Sequence, residues 1–254
     1  MTHDDDKPLT PAQARQKLYA RDADKKRLMA VMDRVVKFFE QEHAAVFGLE
    51  APKPRKRRPT KSDLLYQFKI TLLKTQPPIW RRIQVMDCTL DKLHEHIQTS
   101  MGWTNSHLNQ FRIREQQYAD PMLMEEDFEE FGYQDSTSTM LSDILPETGK
   151  QFRFQYEYDF GDSWDHEVLF EGCPKAEADR QYPLCLEGER ACPPEDCGGV
   201  GGYAEFLEAI RDKNHEEREA MFEWVSGWFD PEEFDPVTAT KSMKKGLPNC
   251  RNMM

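Results

Sequence analysis

The chain reads as an α+β protein. The expected architecture is a β-hairpin plus helix (β-β-α-β) unit, continued by an aromatic-rich β-hairpin into a mixed or antiparallel sheet, packed by C-terminal helices and preceded by a separate N-terminal helical appendage. Three observations lead there. Phe152, Phe154, Tyr156, Tyr158 and Phe160 fall at every second position, which on a strand sets five rings on one face. Gly161-Asp162 then supplies turn chemistry, and Trp164, His166, Val168 and Phe170 resume the alternation, so the two runs make a hairpin. Upstream, Tyr66, Phe68, Ile70 and Leu72 repeat with the same period before a helical stripe begins at Leu90.

Composition bounds the classes. A chain of 254 residues with 38% hydrophobic content can bury a sizeable core. Its net charge of -12 opposes a general nucleic-acid surface, because phosphate is repelled unless basic residues are locally concentrated. No run of about 18 apolar residues is present to span a bilayer. The start MTHDDDKP has neither a basic n-region nor an apolar h-region. The expectation is therefore a soluble, cytoplasmic protein with no membrane partner. Six cysteines without a secretion signal fit reduced thiols or a metal site better than a disulfide framework.

In chain order, residues 1–50 read as a helical region. Thr10, Pro11 and Gln13 mark a helix start, and Leu28, Met32, Val35 and Phe39 share a stripe that offers a surface to a protein partner. Residues 51–63, APKPRKRRPTKSD, break all periodicity with three prolines and six basic side chains. This is a linker, and its basic part, 53–61, is the candidate contact for nucleic acid. The main domain is expected over 64–245. Its first strand is Tyr66 to Leu72, and Pro77-Pro78 forces a turn before the returning strand Ile79 to Val85. There Ile79, Arg81, Ile83 and Val85 share one face, and Trp80, Arg82 and Gln84 the other. Thr89 caps a helix with Leu90, Leu93, His94, Ile97 and Met101 at helical spacing, and Gly102 ends it. A strand follows near Asn109 to Arg114. Residues 116–150 are less legible, with a short element expected around Leu141 to Leu145. Gly172 to Gly202 reads as one long Pro/Gly/Cys loop of the kind that is often functional. Tyr203, Phe206, Leu207 and Ile210 then form a helical stripe. A second helix uses Met221, Phe222, Val225 and Trp228 up to Pro231. From Lys241 no pattern is visible, and 246–254 is expected to be a disordered tail.

Four strings carry a family likeness: PPIWRRIQVMDCTLDKLHEHIQTSMGWTNSHLNQFRI, YEYDFGDSWDHEVLFEG, CPPEDCGGVGGYAEFL and WFDPEEFDP. Together they resemble the plasmid pRiA4b ORF-3-like family over roughly Asp63 to Lys245. The resemblance implies a compact α+β domain found on plasmids, within transposable elements and in bacterial chromosomes. It implies no activity, and residues 1–62 lie outside it.

Several clusters offer chemistry. Cys185, Cys192 and Cys197, completed by His166, could supply a tetrahedral zinc site, the one cofactor suggested, although the C-x6-C-x4-C spacing lacks the two-residue gap of ordinary zinc motifs. Asp159, Asp162, Asp165, His166, Glu195 and Asp196 make a second candidate, for acid–base work or a hard cation. Trp80, Arg81 and Arg82 would give stacking plus charge for an anionic ligand, and Trp164 adds an aromatic wall. Gly161-Asp-Ser163 lacks the second glycine of a nucleophile elbow. Gly199 to Ala204 fits G-x-G-x-x-A without the strand that motif requires, leaving only a glycine-rich helix entry for an anion. No catalytic motif is recognised. The leading expectation is a mobile-element-associated binding or accessory module with its recognition surface at the aromatic hairpin and the Pro/Gly/Cys loop. The alternative is a metal-dependent hydrolytic or nucleic-acid-processing enzyme using the same region.

Overall fold

The computed structural model describes residues 64–121, 132–146 and 149–247. The expected N-terminal helices, the basic linker, Cys250 and the last seven positions of the tail lie outside the described residues. One eight-stranded sheet organises the rest. Its strands are β1 (Leu65–Leu72), β2 (Ile79–Met86), β3 (Asn109–Ile113), β4 (Gln116–Ala119), β5 (Gln134–Asp135), β6 (Phe152–Tyr158), β7 (Trp164–Gly172) and β8 (Leu184–Glu189). Their spatial order is β5-β4-β3-β6-β7-β1-β2-β8. All neighbours are antiparallel except β4 and β5, which makes the sheet mixed.

The helices are α1 (Leu90–Met101), α2 (Leu141–Ile144), α3 (Gly199–Arg211), α4 (Arg218–Trp224) and α5 (Pro236–Lys245). Thr89 accepts a hydrogen bond from the Lys92 amide to start α1. Gly102, at φ 104°, ends it in the left-handed region. The period-two rings fill the core: Tyr156, Tyr158, Trp164 and Phe170 are fully buried, with Phe111 against Tyr156 at 4.9 Å between ring centroids. Phe160 is the exception, since the strand ends at Tyr158 and the ring enters the turn half-buried.

Three expectations are corrected. The long loop contains β8, which pairs with β2 and extends the sheet by one edge. The patternless stretch from Lys241 is the last half of α5. That helix is capped by the Asp235 carboxylate on Val237 and Thr238, and it packs on α1 and β8. The helix expected to carry Trp228 stops at Trp224, leaving Trp228 72% exposed.

Arg81 is not a surface residue. Alternation sends it to the core face of β2, where it is 1% exposed. Its Nε donates to the Ser100 carbonyl at 3.0 Å. One terminal nitrogen donates to the Trp80 and Glu189 carbonyls at 2.8 and 2.9 Å. The guanidinium lies 3.9 Å from the centre of the Phe234 ring, and Gly188 makes the room: a Cβ there would stand 2.9 Å from Arg81 Cδ and 2.6 Å from the Trp80 carbonyl. Arg81→Met keeps the stem and leaves buried carbonyls without their donor. The expected loss is about 2–5 kcal/mol, read as a lowered urea midpoint. Arg82→Met, on the outer face, should cost about 1 kcal/mol.

Candidate functional site

The β6–β7 turn, the segment before β3 and the loop after β8 meet at one end of the sheet. Register explains the first contact: β3 pairs with β6 so that Asn109 faces Tyr158, and the Asp159 amide donates to the Leu108 carbonyl at 2.9 Å. Asp159 then turns the chain at φ 56°, its Oδ1 accepting from the Gly161 and Asp162 amides at 3.0 and 3.3 Å. Its Oδ2 faces His107 Nε2 at 3.5 Å, and Asp196 Oδ1 approaches the same nitrogen at 2.9 Å.

The loop after β8 is fastened at three points. Trp103 Nε1 donates to the Pro193 carbonyl at 3.0 Å. Glu195 accepts from the Tyr158 hydroxyl at 3.1 Å and from the Thr104 amide at 2.8 Å. The Gly198 amide donates to Asp162 Oδ2 at 3.1 Å. That last bond gives the glycine-rich entry of α3 an anion from the protein itself, the Asp162 carboxylate. Gly199 is needed for it, because a Cβ there would stand 2.5 Å from the Asp162 carbonyl.

Beneath these polar groups sits a ring cluster. Trp103 packs on Tyr158, Trp164 and His166 at centroid distances of 5.0, 6.0 and 5.4 Å, edge to face with the imidazole. His166 is fully buried, and neither ring nitrogen has a partner of hydrogen-bonding geometry, although the main-chain carbonyls of Trp164 and Tyr156 lie nearby. Burial holds its pKa down to about 4. Burial, and then the Glu195 charge, push the Tyr158 hydroxyl well up. The thiols move the same way through burial: Cys185 to about 11, Cys197 to about 12 and Cys192 higher still.

A cleft of about 890 Å³ opens beside this cluster between the C-terminal end of α1, the 191–196 loop and the segment from Trp224 to Ser242. Trp103, Trp224, Trp228, Phe229 and Phe234 line it, as do Glu195, Asp196, Asp230, Glu233 and Asp235.

The residues singled out in the sequence separate accordingly. Asp159, Asp162, Glu195 and Asp196 are brought together, while Trp164 and His166 lie below them in the core. Asp165 points to the outer face and pairs with Lys74 at 2.7 Å. Trp80 and Arg82 are also on the outer face, one residue out of phase with Arg81, so the WRR run divides between two sides of the sheet. Among the described residues, the side chains whose donor atoms converge to within 4.8 Å as a metal-ligating set are His107, Asp159 and Asp196. Cys185, Cys192, Cys197 and His166 do not form such a set. Cys185 belongs to β8, where its main chain bonds Thr240 of α5, and His166 is enclosed by rings. In the sequence His107 follows a loop and reads as a histidine that satisfies a backbone group; only the pairing of β3 with the distant β6 brings it to Asp159.

Fold and site define a mixed-sheet α+β domain with an aromatic, acid-rimmed cleft at one sheet end. The chain belongs to the plasmid pRiA4b ORF-3-like protein family, whose pattern matches residues 64–238. It is 39% identical over 159 residues to "Uncharacterized protein y4hQ" of Sinorhizobium fredii (strain NBRC 101917 / NGR234), covering 62% of this chain and 79% of that protein. The crystal structure of a protein of unknown function, MM3350 from Methanosarcina mazei Go1, superposes with a TM-score of 0.61 at 36% identity, over 68% of this chain and 96% of that one. Among the described residues, no helix is long and apolar enough to cross a membrane.

Burial holds His166 and His96 near pKa 4, against an ordinary value of 6.5. The unfolded chain takes up both protons near pH 6.5 and the folded chain only near pH 4. Stability is therefore fully present above pH 6.5 and falls as pH drops through that window, by roughly 1–3 kcal/mol per histidine. Urea midpoints between pH 7 and 4 should show this decline, and His166→Phe should flatten part of it.

Proposed function

We propose that this domain is a binding module whose cleft receives a cationic polypeptide segment. One observation carries the reading: among the described residues, five carboxylates and five large aromatic side chains line the cleft, against a single cation, Arg81. That guanidinium is buried and occupied by main-chain carbonyls, so it adds little positive charge to the opening. Trp224 and Trp228 are 46% and 72% exposed, a cost in water that a ligand's aliphatic stems and cationic groups would offset. Carboxylates at the rim would set orientation and speed the encounter.

The family is named for a plasmid reading frame, which is compatible with an accessory role on a mobile element, part of the same proposal. The hydrolytic alternative is less well supported. In its cysteine form it needs a metal held by Cys185, Cys192, Cys197 and His166, whose donor atoms do not converge, and burial raises the Cys192 and Cys197 thiols away from the thiolate that a metal ligand must be.

The test is tryptophan emission during titration with a ten-residue peptide of alternating arginine and leucine, with its glutamate–leucine counterpart as control. Saturable binding of the basic peptide is expected, weakening with salt and falling about tenfold or more in Trp228→Ala. Equal binding of both peptides, or none at low salt, overturns the reading.

A further inference from the structure

We infer that His107, Asp159 and Asp196 form a binding site for a divalent first-row transition-metal ion, at the wall of the cleft, with which it shares Asp196. The three donors come from separate parts of the chain: the segment before β3, the β6–β7 turn and the loop after β8. Their ligand atoms lie within 4.8 Å of one another. Ligands held about 2.1 Å from a tetrahedral or octahedral metal are about 3.0–3.4 Å apart. His107 Nε2 stands 2.9 Å from Asp196 Oδ1 and 3.5 Å from Asp159 Oδ2, which brackets that spacing.

Distance alone would equally describe an ion pair. The second observation is directional. His107 Nε2 is itself shielded from solvent, although its side chain is 29% exposed, and it makes a hydrogen bond of acceptable geometry to neither carboxylate, so neither oxygen lies along the direction in which the nitrogen would donate. A shared ion is what such an arrangement accommodates.

The surroundings hold the donors as ligands are usually held. The imidazole lies edge-on to the Tyr158 ring, centroids 5.9 Å apart, which limits its rotation. Asp159 spends Oδ1 on two backbone amides, leaving Oδ2 for the site, and its own amide is tied to Leu108 beside His107. Asp196 is the exposed member, with a side chain 69% exposed on the solvent side. One imidazole with two carboxylates suits Mn2+, Fe2+ or Zn2+ better than Ca2+, which prefers six or more oxygens. Three protein ligands also leave positions open to water or a bound group.

Mn2+ is the probe of choice, because it discriminates against the nearby thiols. Full-length protein stripped with chelator and dialysed would be titrated with Mn2+, following loss of the free-ion electron paramagnetic resonance signal. One ion per chain is expected, retained in the Cys192→Ser, Cys197→Ser double variant and weakened about tenfold or more in His107→Gln and in Asp196→Asn. Asp196 is exposed, so its variant should keep the native circular dichroism spectrum and decides the matter if the His107 variant fails to fold. No saturable binding by the native chain, or binding unchanged in Asp196→Asn, overturns the inference.

Discussion

A guanidinium that bonds main-chain carbonyls and, among the described residues, forms no ion pair, deep between sheet and helices, is the constraint on which the rest of this structure depends. Taking a charge that size out of water is costly, and neutralising it by deprotonation is not open to arginine in the way it is to lysine. Arg81 is retained by donating to three carbonyls, one of them near the C-terminal end of α1, where the helix dipole is negative. Each of those carbonyls belongs to a different place in the fold. The first closes α1, the second is on β2 itself, and the third ends β8. The Phe234 ring over the guanidinium adds the segment leading into α5. Elements distant in sequence are thus held to one side chain, and the floor of the cleft is where they meet.

The hairpin end is fixed by a different balance. Tyr158, Thr104 and Trp103 bind the loop after β8 through good hydrogen bonds, while the layer just below leaves Trp164 Nε1, both His166 nitrogens and the Tyr203 hydroxyl buried without partners. Each unpaired polar group costs about 1–3 kcal/mol. The ring packing around Trp103 offsets part of that cost. This end of the domain therefore carries dense contacts and unresolved polar groups together, a combination that an ordinary hydrophobic core avoids.

What could be read from the residues was whatever had a period. The hairpins of β1–β2 and β6–β7 and the face of α1 announce themselves because their inward positions are large and apolar at fixed spacing. β8 did not, because LCLEGE contains a glycine and two carboxylates and lies among prolines; its glycine exists to admit Arg81, which is a tertiary reason. α5 buries only Ala239 and Met243, a stripe too narrow to see, although Asp235-Pro236 is a sound helix start. The site divides in the same way. Asp159, Asp162, Glu195 and Asp196 were visible as turn and loop carboxylates, and a local reading paired them with His166, the histidine of the same hairpin as Asp159 and Asp162. Alternation instead buries His166, and the non-sequential order β3-β6 supplies His107.

Charge compensation then separates the two sides of the sheet. On the outer face Arg82 donates to both Glu171 and Glu187, Gln67 bridges Glu171 and Gln84, and Lys69 stands 4.4 Å from the Trp80 ring centre. Those groups satisfy one another within the chain, and burial of Glu171 is outweighed by its bonds to Arg82 and Gln67, which hold its pKa below the usual carboxylate range. At the cleft the balance among the described residues is unequal: carboxylates exceed cations, and Arg81 is turned inward. An acidic protein must leave its excess charge somewhere, and spreading it evenly would minimise self-repulsion. Part of it stands here, beside exposed tryptophan rings. That concentration, against a neutralised outer face, is the physical reason to look for a positively charged partner at this end of the sheet.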